Sequence, residues 1–460
     1  MTRIHAERAL VEGRELTDVV IEVTDGRITA ITPGGTPEAA DLRLGTVLAG
    51  SGNAHSHAFH RALRGRTHDQ GGDFWRWREQ MYAVADRLTP DSYERLAEAV
   101  FAEMLVTGWT TVAEFHYVHH RADGTPYEDP NAFGTALTRA ASSVGNRLTL
   151  LDTLYLTSAP GRPLLPEQSR FGDGSAEGWL GRWHDLRAGC GIFPPWRENA
   201  SASATETEHN PAMAGICPIN IGAAIHSVRA ASPDDIAHVA ANLPPDVPLH
   251  IHLSEQPAEN EQSLAAYGRT PTQVLADAGA LSPRTWLVHA THLTDADIAL
   301  IADSGAGVVM CPTTEADLGD GIGPARELAD AGVRIALGSD QNAVIDPWLE
   351  VRGLEAGERL RSRQRGRFSP ADLETARAGS GYAASGLPGG LRIGACADLV
   401  EIAPDSVRTA GAALDQLALV ATATDVRRVV VGGRVVAEHG RLADGRDPAA
   451  MFTEALKELG

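Results

Sequence analysis

Eight short strand-like runs, separated by helical-looking or loop stretches, constrain this chain more than any other feature of its sequence. They fall at residues 46–53, 110–117, 147–156, 219–228, 248–255, 285–291, 305–312 and 334–340. Strands that alternate with helices argue for a parallel sheet, and this number predicts an α/β fold, a closed (β/α)8 TIM-type barrel. Chemistry in such barrels sits at the carboxyl ends of the strands. Here those ends read HSH, EFHY, HSVR, HLSE, HATH, CPTTE and GSD, so nearly every strand finishes in groups able to act on a ligand.

The two chain ends have a different texture. Residues 19–31 alternate in polarity and turn at Asp25-Gly26, and residues 397–402 and 427–438 are equally β-rich, the latter turning at Gly432-Gly433. Such pairs favour tight hairpins. Neither end has enough strands to cover its own apolar face, so both are expected to pack as one small β-sandwich. The expected division is 1–47 for the first half of the sandwich, 48–385 for the barrel, and 386–460 for the second half plus a terminal amphipathic helix over 447–459. The stretch 158–218 is too long for a plain crossover and reads as a lid or loop insertion.

Composition removes several function classes. A formal charge of −20 repels a phosphate backbone or an anionic membrane surface, which excludes a nucleic-acid partner. Charged residues interrupt the first 20 positions and no long apolar run follows, so no secretory signal or membrane span is expected and the chain reads as cytoplasmic. Cys190, Cys217, Cys311 and Cys396 are scattered, which argues against a disulfide scaffold or a cysteine-rich zinc module. Lys457 is the single lysine among 40 basic residues. A Walker A loop and an internal Schiff-base lysine are thereby excluded.

His55 and His57 stand two apart at the end of the first run, and strand alternation sends both side chains to one face. His252 adds a third imidazole, with Glu255 spaced to act as a general base, while His250 reads as a core histidine. Asp340 closes the last run with a carboxylate, although helix capping is a common alternative for aspartate. Three imidazoles and a carboxylate suit Zn²⁺ with room for water. Two-metal barrels commonly bridge their ions through a carboxylated lysine; with no lysine in this barrel, one metal per subunit is expected. His289 and His292 fall on opposite faces, one toward the site. His116, His119 and His120 form a rival cluster, read primarily as hydrogen-bonded loop histidines.

The segments NAHSHAFHRAL, FWRWREQMY, EFHYVHH, HSVRA, HIHLSEQ, LVHATH, CPTTEADLGDG and GSD together resemble the formimidoylglutamate deiminases of the amidohydrolase superfamily, across practically the whole chain. The resemblance implies one Zn²⁺ held by His55, His57, His252 and Asp340, with Glu255 as general acid/base and His289 polarising the reacting centre. It further implies that Arg78, Tyr117, His226 and Arg229 hold a small dicarboxylate substrate; His60 is kept as a substrate contact beside them, and a homodimer is expected. Two arginines in an acidic protein suit such a substrate, because each guanidinium fork can pair bidentately with a carboxylate. Two departures stand out: His60 replaces the family's usual glutamine, and Gln341-Asn342 follows Asp340 where relatives commonly carry Ser-His, which puts part of the pocket rim in question.

The implied reaction, a step of histidine degradation, is hydrolysis of N-formimino-L-glutamate to N-formyl-L-glutamate and ammonia. The competing readings are a deaminase of a heterocycle such as guanine or a pterin, and a non-catalytic barrel scaffold.

Overall fold

The computed structural model describes residues 2–67, 74–189 and 219–459. The chain opens with β1 (Thr2–Val11), β2 (Arg14–Thr24), β3 (Arg27–Thr32) and β4 (Leu42–Ala49). The β2–β3 turn is the expected one, with Asp25 at φ 49° and Gly26 at φ 71°. Paired positive φ values give the twist that right-handed strands need at a two-residue turn.

The barrel strands follow: β5 (Ser51–Ser56), β6 (Trp109–His116) and β7 (Arg147–Leu154). A two-strand ribbon, β8 (Thr157–Ala159) and β9 (Arg162–Pro163), then precedes β10 (Ile219–Ile225), β11 (Leu249–Leu253), β12 (Thr285–His289), β13 (Gly307–Met310) and β14 (Arg334–Leu337). All neighbours among the eight barrel strands pair in parallel, in the order β14-β13-β12-β11-β10-β7-β6-β5. The sheet comes round on itself through one isolated bridge, Ser56 to Asp340. A Cβ on Gly338 would sit 2.8 Å from the Cβ of His55, so only glycine lets these strands approach so closely.

The run expected at 46–53 proves to be the end of one strand and the start of another. Its apolar pattern is continuous, but the chain changes sheets at Gly50, where any Cβ would strike Thr110 at 2.2 Å. The insertion contributes the β8–β9 ribbon and helix Ala176–Gly189 before 190–218, which lie outside the described residues along with Cys190 and Cys217.

The carboxyl-terminal strands β15 (Leu399–Ile402), β16 (Val426–Val431), β17 (Arg434–Glu438) and β18 (Arg441–Leu442) join the first four in one eight-stranded sheet. β15 pairs antiparallel with β4, which brings both ends of the chain together. Ile4, Val19, Ile21, Val47, Leu399 and Val430 form an apolar cluster there, separate from the barrel core. Helix Pro448–Leu459 packs against helix Pro90–Thr107 on the barrel's outer wall. Among the described residues no helix is long and apolar enough to cross a membrane.

Candidate active site

The carboxyl ends of β5, β11, β12 and β14 bring the expected metal ligands together. His55 Nε2 lies 3.3 Å from Asp340 Oδ1, and His57 Nε2 lies 3.4 Å from the same oxygen. His252 Nε2 is 3.1 Å from His55 Nε2. The other ring nitrogens explain why these edges face one another. His57 Nδ1 donates to Phe115 O at 2.8 Å and His252 Nδ1 donates to His226 O at 2.9 Å, which leaves each Nε2 with a lone pair pointing inward. Burial pushes His55 down to about 4 and His57 down to about 3, so both rings are neutral at physiological pH. Facing nitrogen lone pairs beside a carboxylate do not stabilise one another; a divalent cation satisfies the whole set.

Backbone strain gathers at the same place. Ser254, His289, Ala290, Asp340 and Asn342 all take positive φ, between 44° and 69°. Non-glycine residues in this region cost free energy and persist where the surroundings over-determine them, as at active sites.

Glu255, 8% exposed, stands with Oε1 3.9 Å from His289 Nε2. Burial pushes Glu255 above the usual carboxylate range, opposed mainly by His289. Burial also disfavours charge on His289, but Glu255, Glu315 and Asp340 outweigh it and push the imidazole up to about 10. His289 Nε2 is 3.9 Å from Asp340 Oδ2, and its Nδ1 is 3.6 Å from Glu315 Oε1. Burial raises the Asp340 carboxyl, but His55 and the neighbouring imidazoles hold it below its ordinary range. The expected acid/base pair and the ligand set therefore form one continuous group. His292 Nε2 donates to Asp320 O at 2.9 Å.

The expected substrate residues line one wall beside this group. His60 Nε2 and Tyr117 Oη are 2.9 Å apart, and the His60 ring lies 4.5 Å from that of His57. Arg78 Nε donates to Tyr82 Oη at 2.6 Å. Tyr82 and Tyr155 both accept from Gln168 Nε2 at 2.9 Å. The His226 ring meets those of Tyr155 and Tyr117 edge-on, with centroids 4.4 Å and 5.6 Å apart. Burial, then the charges of Arg229 and Arg78, hold His226 well below its usual value, so both guanidiniums act on the same ring. Arg229 is half-buried, its Nε has no hydrogen-bond partner, and its nearest acidic group is Glu259 at 3.9 Å.

Sequence reasoning missed several groups. Glu315 and Asp320 stand in CPTTEADLGDG, yet nothing in their spacing points them at His289; burial and then Glu255 push Asp320 up to about 8. Tyr82, Tyr155 and Gln168 carry no signal of their own. Glu114, pushed up to about 8 by burial, accepts from Ser56 Oγ and the Ala58 amide. The structure also corrects the reading of Asn342 as pocket rim. It is fully buried and donates to Ser56 Oγ and His57 O, while Gln341 Nε2 donates to Asp317 at 2.6 Å.

The rival histidine cluster is already neutralised. His116, His119 and Asp152 come within ligating reach of one another, but Asp152 receives Arg182 Nη1 at 2.7 Å, Arg182 Nη2 at 2.8 Å and Trp179 Nε1 at 2.8 Å. The guanidinium supplies the positive charge a metal would bring. His119 Nε2 donates to Thr153 O at 3.0 Å and His120 pairs with Asp173. His250 is a core residue, donating to Ala384 O at 2.8 Å.

Residues 46–436 match the amidohydrolase family, and residues 1–45 match the amino-terminal domain of formimidoylglutamate deiminase HutF. The chain is 38% identical to a formimidoylglutamate deiminase of Pseudomonas aeruginosa, over all of both chains. It is 29% identical to an 8-oxoguanine deaminase of the same organism, covering 94% of this chain and 92% of that one. An amidohydrolase of Brucella melitensis superposes with a TM-score of 0.88 at 33% identity over the whole of both chains. An adenosine deaminase of Xanthomonas campestris with bound zinc superposes at 0.80 with 24% identity, covering 99% of this chain and 97% of that one, a likeness of fold.

Proposed function

The chain belongs to the amidohydrolase family and is a full-length homologue of formimidoylglutamate deiminase, a hydrolase acting on C–N bonds; from that premise we propose that it hydrolyses N-formimino-L-glutamate to N-formyl-L-glutamate and ammonia. His55, His57, His252 and Asp340 would hold one zinc ion, and their inward lone pairs and carboxylate fit it. When bound, zinc supplies Lewis acidity and brings water to a pKa of about 7.

The chain's own residues account for the remainder. Glu255 takes one proton from the attacking water and passes it to the imino nitrogen; the hydroxyl left on the tetrahedral carbon then gives its proton to the same nitrogen as the C–N bond breaks, the C=O forms and ammonia leaves. His289, cationic beside Glu255 and Asp340, stabilises charge as the formimino carbon becomes tetrahedral. Asp340, its Oδ2 3.9 Å from His289 Nε2, steers the tetrahedral centre together with that ring. At the other end, Arg78 and Arg229 pair with the glutamate carboxylates, and His60, Tyr117 and His226 orient the chain between.

The observation that carries this reading is Arg229, a half-buried guanidinium whose Nε makes no hydrogen bond and stands 3.9 Å from Glu259, acting on the same ring as Arg78. A flat neutral base such as guanine offers no anion to that pair. Ammonia release on formiminoglutamate, formiminoaspartate and guanine tests the proposal. Turnover is expected on formiminoglutamate above all; preferred turnover of guanine would overturn it. The place in histidine degradation rests on the family resemblance, and the single zinc ion per subunit on that resemblance and the missing barrel lysine.

A further inference from the structure

Where the barrel comes round on itself, side chains supply what the β-ladder does not. Asn53 Nδ2 donates to Ser339 Oγ at 2.6 Å, and Ser339 Oγ donates to Asn342 Oδ1 at 2.6 Å. Asn342 Nδ2 then donates to Ser56 Oγ at 3.0 Å, and Ser56 Oγ donates to Glu114 Oε2 at 2.7 Å. All five residues are fully buried. Each hydrogen points the same way along the chain of bonds, which ends on the Glu114 carboxyl group. Its other oxygen, Oε1, takes the Ala58 amide at 2.6 Å.

This relay touches the backbone around three proposed ligands. Ser56 stands between His55 and His57, and Ala58 follows His57. The carbonyl next to Glu114, Phe115 O, holds His57 Nδ1. From the opposite side, Asn342 also donates to His57 O at 3.0 Å, two residues beyond Asp340. We infer that Glu114 and Asn342 are positioning residues for the metal, fixing the strand end that carries His55 and His57 against the one that carries Asp340. The inference rests on the proposed metal site and adds two residues to it that do not touch the ion.

The direction of the bonds makes the claim testable. In Glu114→Gln the amide must turn its oxygen to Ala58 N, so its NH2 faces Ser56 Oγ, which already accepts from Asn342; the Ser56 proton then has no acceptor. Ser56→Ala removes the central hydroxyl with almost no change of volume, leaving Asn342 and Glu114 each one partner short. Zinc affinity of the full chain is measured by chelator competition, together with the visible spectrum of the Co²⁺-loaded protein. Each variant is expected to bind zinc about 10–100-fold more weakly, the usual effect of losing a group that orients a ligand, and to show a changed cobalt spectrum. Parent-like affinity and spectrum in Ser56→Ala overturn the inference even if the metal-free protein melts earlier, and Ser56→Ala decides if Glu114→Gln does not fold. A parent chain that binds no zinc overturns the metal site itself, a different result from unchanged affinity in the variants.

Discussion

Glu255→Gln separates proton transfer from metal binding. The substitution keeps the shape of a side chain 8% exposed and leaves His55, His57, His252 and Asp340 untouched, so zinc content is expected to stay at the parent level. Two effects follow. Loss of a proton carrier costs about 10²- to 10⁴-fold in rate, or about 3–5 kcal/mol in barrier. The second effect reaches His289, whose Nε2 lies 3.9 Å from the removed anion. At an effective dielectric constant of about 20, that separation corresponds to about 4 kcal/mol between unit charges, or about three pK units. Glu255 favours the charged imidazole, so removing it lowers the His289 pKa from about 10 toward the ordinary histidine range. The alkaline limb of kcat/KM is therefore expected to move to lower pH as the plateau falls. Ammonia release followed across pH 5 to 10, with metal analysis of the same samples, reads both effects. A variant within threefold of the parent rate and fully loaded with zinc would refute the role given to Glu255; loss of zinc in step with rate would make it a ligand instead.

Chelation is expected to abolish ammonia release and lower the melting temperature, with zinc restoring both; an ion at 1,000 times its Kd contributes about 4 kcal/mol to stability, and unchanged melting would contradict the site. Arg229→Met should lower kcat/KM for formiminoglutamate by about 10- to 150-fold, the worth of a charged hydrogen bond of about 1.5–3 kcal/mol, mostly through KM, and Arg229→Lys should not restore it. Arg182→Met strands Asp152 and Asp173 without their cation and is expected to destabilise the fold by about 3–5 kcal/mol in denaturant titrations; a loss below 1 kcal/mol would count against a buried ion-pair role. Those two carboxyls are held below their ordinary range despite burial, mainly by Arg182 and neighbouring histidines. Their stabilisation is therefore present above the unfolded value near 4 and lost as pH falls further; Asp173→Asn should flatten that acid limb of the melting curve.

The strands were legible because each is a short apolar run ending in polar residues, and the ligands because His55 and His57 keep strand alternation at such an end. The boundary at Gly50 was not, since the run of apolar and small residues continues unbroken while the chain passes from one sheet to another. Glu114 reads as an ordinary acidic residue beside Phe115, and Asn342 as loop. Their partners are Ser56, 58 residues from Glu114 and 286 from Asn342, so only the closed barrel reveals them. The same holds for Arg182, whose match with Asp152 turns a histidine-rich segment from a metal candidate into a salt-bridged core.

The Ser56–Asp340 seam also sets an order of assembly. During synthesis His55 and His57 emerge early, His252 only midway, and Asp340 after nearly three quarters of the chain. A nascent chain that meets zinc can offer at most a paired-imidazole grip for most of its translation. Capture by the proposed ligand set would wait for the last barrel strand, and the ion would then rivet the first strand to the last across the longest sequence separation in the barrel sheet.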